Sequence, residues 1–201
     1  MAKHFFYMVI FFITFTSQAQ MTMTTTKKDV APVHIGIEEG SGYISIDWGD
    51  GSKIRKFTLK KRLFNFYHNY YDTVTFHTIK VTGRNIKIHD CSFNELISLD
   101  ISKNRKLKGL RCTNNKLTSL DVNKNTKLEW IVISNNLLSS DSLNIFFESL
   151  PNNKREQWND INIDDNSGTC SCNTDIANKK RWNMVDKSGG KWLNLILPPT
   201  K

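Results

Sequence analysis

The chain reads as a mixed α/β protein: a small antiparallel β unit, then a short repeat solenoid, then a helical C-terminal cap. Three observations predict this class. Residues 86–106 align without a gap on residues 107–127, and ten of the 21 positions are identical. A fixed period of this length marks units that bury their apolar side only against their neighbours. Ahead of the repeat, from Val33, apolar and polar residues alternate in short runs broken by Gly-containing turns, the pattern of half-buried strands. Behind it, Leu143, Phe146, Phe147 and Leu150 fall at i, i+3, i+4 and i+7, one face of a helix.

The first element precedes the fold. Lys3 and His4 are followed by an apolar run, Phe5 to Phe15, and by the small residues Ser17 and Ala19. Residues 1–19 therefore read as a signal peptide cleaved before Gln20. The run is shorter than the roughly 20 residues of a membrane anchor, and no second long apolar segment follows, so no transmembrane segment is expected after its removal. Localisation is expected to be periplasmic, cell-surface or extracellular. Residues 20–32 are Thr-rich and read as a flexible leader.

Residues 33–83 form the β unit. Val33, Ile35 and Ile37 alternate, residues 38–42 turn, Tyr43 to Trp48 alternate again, and Gly49-Asp50-Gly51-Ser52 turns sharply into a return strand at Ile54–Leu59. Asp-Gly between alternating segments is a hairpin signal. Val74 to Val81 is the last strand. The motif Trp48-Gly49-Asp50-Gly51 with His68-Asn69-Tyr70 and the strand 78–82 resembles a PKD-like β domain.

Residues 84–140 hold the repeats. Leu107, Leu110, Cys112, Asn115 and Leu117 fit L-x-x-L-x-L/C-x-x-N-x-L, and Leu120, Val122, Asn125 and Leu128 close the turn into a third, decaying copy. This pattern resembles leucine-rich repeats, and the whole resembles a secreted bacterial leucine-rich repeat protein with an N-terminal PKD-like domain. Leu110 and Cys112 point inward, with Leu117, Leu120 and Val122 behind them. Asn94, Asn115 and Asn136 are placed to hydrogen-bond buried backbone. His89 takes the slot of Leu110 and Ile131, an irregular first repeat. Residues 141–186 read as a capping unit, with a helix ending before Pro151, a strand at 161–163 and a short helix from Asp175 with Thr174 as N-cap. Its residues Asn166, Gly168, Thr169, Cys172, Ile176, Ala177 and Trp182 resemble the closing unit of the same family. Residues 187–201 form an apolar tail without an assigned element.

Hydrophobic content of 39% and charged content of 23% suit a folded chain. The formal charge is +9, from 28 basic and 19 acidic residues, but the cations are spread along the sequence, so a solvated basic surface is expected and not a nucleic-acid site. Cys91 and Cys112 share one repeat slot and read as buried thiols. Cys170 and Cys172 are too close for a zinc clip. Asp47 and Asp50 suit a turn, and Asp160, Asp164 and Asp165 do not match a calcium loop. The five His residues lack metal-ligand spacing, and no phosphate loop, dinucleotide fingerprint or nucleophile elbow occurs. The sequence thus carries no catalytic constellation, metal site or cofactor fingerprint.

What remains is a binding surface. On a leucine-rich repeat strand, the residues flanking the inward positions face the concave side. These are Ile88, Asp90 and Ser92, then Gly109, Arg111 and Thr113, then Trp130, Val132 and Ser134, with Phe93, Asn114 and Asn135 at the edge. Trp and Arg are the residue types that anchor interfaces. The expectation is a non-catalytic secreted or surface protein that grips a protein partner, with Trp130 and Val132 as anchors and Arg111 and Asp90 setting orientation. A glycan-binding module and a purely structural envelope protein are the alternatives.

Overall fold

A computed structural model describes residues 19–28, 31–60, 62–154 and 159–185. The expected signal peptide up to residue 18 and the tail at 187–201 lie outside the described residues. In chain order the elements are β1 (Ala19–Thr25), β2 (Val33–Glu38), β3 (Gly42–Asp47), β4 (Arg55–Leu59), β5 (Phe64–His68), β6 (His77–Gly83), β7 (Ile88–Asp90), β8 (Leu96–Asp100), β9 (Gly109–Arg111), β10 (Trp130–Val132), α1 (Ser140–Ser149), β11 (Asn159–Asn162), α2 (Asp175–Lys179) and β12 (Trp182–Met184).

They form two sheets. The five-stranded sheet has the order β4-β3-β6-β1-β8, and the seven-stranded sheet β12-β11-β10-β9-β7-β2-β5. This overturns the expected class. The described chain is mostly β, twelve strands against helices of ten and five residues, and no free-standing solenoid with a helical cap is present. The reason lies in the sheet edge. The antiparallel strand β2 pairs with β7, the first strand of the repeat region, through Gly36↔Asp90 and Ile37↔His89, so one sheet runs from the N-terminal strands into the repeats. A 21-residue unit also leaves little chain between strands, and turns fill it instead of helices.

Within that sheet the sequence period sets the register. His89 pairs with Leu110 and Leu110 with Ile131, all parallel and each 21 residues on. The next step, Ile131↔Ile161, is longer, and the extra chain makes α1. Ser139 caps this helix by accepting from the Ser142 amide, and the helix buries Leu143, Phe146 and Phe147. Each buried side chain of this kind contributes about 1.5–3 kcal/mol.

The first half of the expected flexible leader is instead a strand. Residues 20–25, together with Ala19 from the expected signal peptide, form β1, which lies inside the five-stranded sheet, antiparallel to β6 (Met23↔Ile79) and to β8 (Met23↔Leu99). Met21, Met23 and Thr25 are fully buried, between half-buried Thr22 and Thr24. The inner faces of both sheets meet in one apolar core that includes Met23, Ile35, Ile46, Val81, Leu110, Ile131, Phe146 and Trp182.

An asparagine ladder holds the turns after the parallel strands. The Asn115 amide nitrogen donates to the carbonyls of Cys91 (3.1 Å) and Cys112 (3.0 Å), and its oxygen accepts from the amides of Asn94 (3.1 Å) and Leu96 (3.0 Å). Asn136 does the same one rung on, to Cys112 and Ile133, and Asn166 to Ile133 and Ile163. Buried backbone that the short strands leave unpaired is thereby satisfied.

Candidate functional site: the outer face of the seven-stranded sheet

Side chains alternate across a strand, so the core positions Ile37, His89, Leu110, Ile131 and Ile161 leave their neighbours on the opposite face. Register sets these in rows. One row holds Asn65, Gly36, Asp90, Arg111, Val132 and Asn162. The next holds Glu38, Ile88, Gly109, Trp130 and Asp160. A third, beyond the strand ends, links Ser92, Thr113 and Ser134: the Thr113 amide donates to the Ser92 hydroxyl at 3.2 Å and its own hydroxyl donates to the Ser134 carbonyl at 2.8 Å.

All seven residues expected on a concave binding face, Ile88, Asp90, Arg111, Thr113, Trp130, Val132 and Ser134, therefore share this face. Their expected exposure is not what the structure shows. Trp130 is 5% exposed, Val132 6%, Arg111 5%, Asp90 8% and Ser134 7%, while Ile88 and Thr113 are half-buried. Trp130 lies flat over Gly109, where an added Cβ would come within 2.2 Å of its ring. The Arg111 guanidinium sits 5.8 Å from that ring and 3.9 Å from the Asp90 carboxylate. Trp130 and Arg111 are thus components of a packed array, not free anchors.

The accessible aromatics of this face lie elsewhere. Tyr67 on β5 is 61% exposed and stacks on His34 at 4.9 Å. The His34 Nε2 is 2.9 Å from the Asn65 side-chain oxygen. Phe93 is 59% exposed, and its amide donates to the Thr113 carbonyl at 3.0 Å. It holds a left-handed backbone, φ 60°, at the position that Asn114 (55°) and Asn135 (52°) occupy in later rungs. Asparagine tolerates that conformation better than phenylalanine. Tyr67 was missed because it lies outside the repeat, and only its place in the aromatic run 64–71 could have pointed to it. Electrostatically the face is mixed. Burial raises the Glu38 carboxyl above its ordinary value, Glu39 adds to the rise, and Arg111 opposes it.

A second cluster gathers the motif of the N-terminal unit. The His68 ring stacks on Trp48 at 4.7 Å and bonds the Asp50 carboxylate at 2.6 Å. The Tyr70 hydroxyl donates to the Trp48 carbonyl at 2.6 Å, and its ring stacks on His77, which bonds Asp72 at 3.1 Å. Burial would raise the Asp50 carboxyl, but the Ser52 hydroxyl and amide, together with His68, hold it at about 2. Burial pushes the Tyr70 hydroxyl well above its ordinary value, and Asp50, Asp47 and Asp72 add to this. Among the described residues His68 bonds to Asp50 alone, with no hydroxyl or thiol in line, so the cluster ties the β3–β4 hairpin to β5 and β6. The turn aspartates serve their own backbone: Asp47 accepts from Gly49 and Asp50 from Ser52.

Cys91 and Cys112 are free and buried. The hydrogen bond to Cys112, then burial, raises the Cys91 thiol well above its ordinary value, which keeps it protonated and unreactive. Among the described residues no group of three or more His, Cys, Asp or Glu side chains could hold a metal ion, and no helix is long and apolar enough to cross a membrane. No protein family model, curated protein or solved structure matches the chain.

Proposed function

We propose that the chain is an exported, non-catalytic binding protein that recognises a protein partner through the outer face of the seven-stranded sheet. The observation that carries this reading is the pairing of exposed aromatics with a rigid backing. Tyr67 on β5 and Phe93 in the turn after β7 are 61% and 59% exposed, while Asp90, Arg111 and Trp130 on the outer face are packed against one another. Exposed aromatics on a backbone that is already ordered lose little entropy on contact, the condition under which a few residues dominate an interface. Ile88 and Thr113 complete the accessible part of the face. Trp130, Val132, Arg111 and Asp90 support it from within.

The test is affinity for an interacting protein isolated from envelope or host extracts by photo-crosslinking at position 67. Tyr67→Ala and Phe93→Ala should each weaken binding by about tenfold, while Tyr71→Ala, 81% exposed in the β5–β6 loop, should leave it unchanged. Equal affinity of all three variants would reject the face. One observation favours a sugar instead: the Tyr67 ring, backed by His34 and flanked by the Asn65 amide, has the form of a stacking platform. Saturable binding on a glycan array that Tyr67→Ala abolishes would select that reading.

A further inference from the structure

The basic residues of the repeat region are scattered in sequence but aligned in space. The turns at 101–107 and 122–128 have the same hydrogen bonds, Asn104 amide to Ile101 carbonyl and Leu107 amide to Asn104 carbonyl in one, and Asn125 to Val122 and Leu128 to Asn125 in the other. They lie side by side, because the Asn125 side-chain amide donates to the carbonyls of both Ile101 and Asn104 at 2.9 Å. The 21-residue period therefore sets Lys124 beside Lys103 and Lys127 beside Lys106, and puts Arg105 in the same turn flank, one strand spacing of roughly 4.8 Å per rung.

These five cations are exposed. Lys103 reaches the Gln20 amide oxygen and helps hold the nearby Asp100 carboxyl below its ordinary value, after the larger effect of Ser102; Lys106 reaches the side-chain oxygen of Asn85, which leaves its charge uncompensated. Among the described residues Arg105, Lys124 and Lys127 have no ion-pair partner. Two exposed acids share the flank: Asp100 and Asp121 accept from the amides of Ser102 and Asn123 and keep their charge, so five cations stand there against two carboxylates, while Glu129 bonds Lys108. The two turns expose no large apolar side chain.

We propose that this turn flank is a track for a linear anionic polysaccharide, one that carries carboxylate or sulfate groups on successive sugars. Two columns of cations at strand spacing match a charge repeated along one line. Hydrogen-bonded turns fix the backbone from which the cations extend. A bilayer would call for apolar side chains to insert and single-stranded nucleic acid for aromatic platforms to stack on, and the flank offers neither. The track is distinct from the sheet face and stands whether or not that face binds a protein.

The experiment measures binding of a fluorescent heparin decasaccharide to the mature chain at two salt concentrations. Affinity should fall with salt. The triple variant R105A/K124A/K127A should bind at least about tenfold more weakly, and R105K/K124R/K127R should bind like the parent. Removing the same charge from the exposed β3–β4 side, as K53A/K56A/K60A, should change affinity by about twofold or less. Equal loss in both alanine triples would show attraction to net charge alone and overturn the track. Tighter binding to phosphatidylglycerol vesicles or to oligothymidylate than to the decasaccharide would overturn the partner class, and no binding of the decasaccharide would overturn the proposal outright.

Discussion

His89 shows what one core position costs. It fills the slot that later rungs give to Leu110 and Ile131, it is fully buried, and neither ring nitrogen makes a well-formed hydrogen bond, the Gly36 backbone being only a weak partner. Burial lowers its pKa from 6.5 to about 4, with a smaller contribution from His34, against opposing pulls from Asp90 and the Gly36 backbone. The folded state thus resists the proton that the unfolded state accepts. The stability His89 permits is complete above pH 6.5 and falls as pH drops toward 4, a loss of roughly 3 kcal/mol. His89→Leu should remove that part of the pH dependence and raise stability at pH 5, as read by urea denaturation across pH 4–8. A variant with the parent's pH profile would contradict this account of the side chain. Asn115 is the converse, a buried polar group with every bond made. Asn115→Ala strips two donors and two acceptors from buried backbone and should cost about 3–5 kcal/mol by the same measurement. Asn125→Ala should cost less, because the Asn125 side-chain oxygen has no partner among the described residues.

At the level of elements, what could be read from sequence divides by cause. The parallel register of β7, β9 and β10 follows from identities 21 residues apart, and the positions of the inward residues Leu110 and Ile131 follow with it. The α1 face was readable from Leu143, Phe146 and Phe147. β1 was not, because Gln20–Thr25 holds only two large apolar residues and follows a segment that reads as a leader. The signal was the strict alternation Met21-Thr22-Met23-Thr24, which composition obscures. The proposed binding face was half legible. Alternation placed Asp90, Arg111 and Trp130 on it, but exposure depends on packing across strands, and a Trp lying over Gly109 is not visible in a linear pattern. Tyr67 joined the face only because β5 pairs with β2, a long-range contact that no local period encodes.

For the whole molecule, the central claim is that the N-terminal strands and the repeat region are one cooperative structure. Two features support it: a single sheet runs from β5 through β2 and β7 to β12, and β1 ties β6 of the first region to β8 of the second. Met23, fully buried on β1, sits where both regions meet, and Met23→Ala should cost about 2–5 kcal/mol. The direct measurement is native-state hydrogen exchange of residues 20–201 with and without that substitution. It compares strand amides in β6 with those that bond between later rungs, Cys112 to Val132 and Ile133 to Asn162. The structure predicts that Met23→Ala lowers the opening free energy of both groups by the same amount. Protection that falls in β6 while the Cys112 and Ile133 amides keep theirs would show two independent units and contradict the claim.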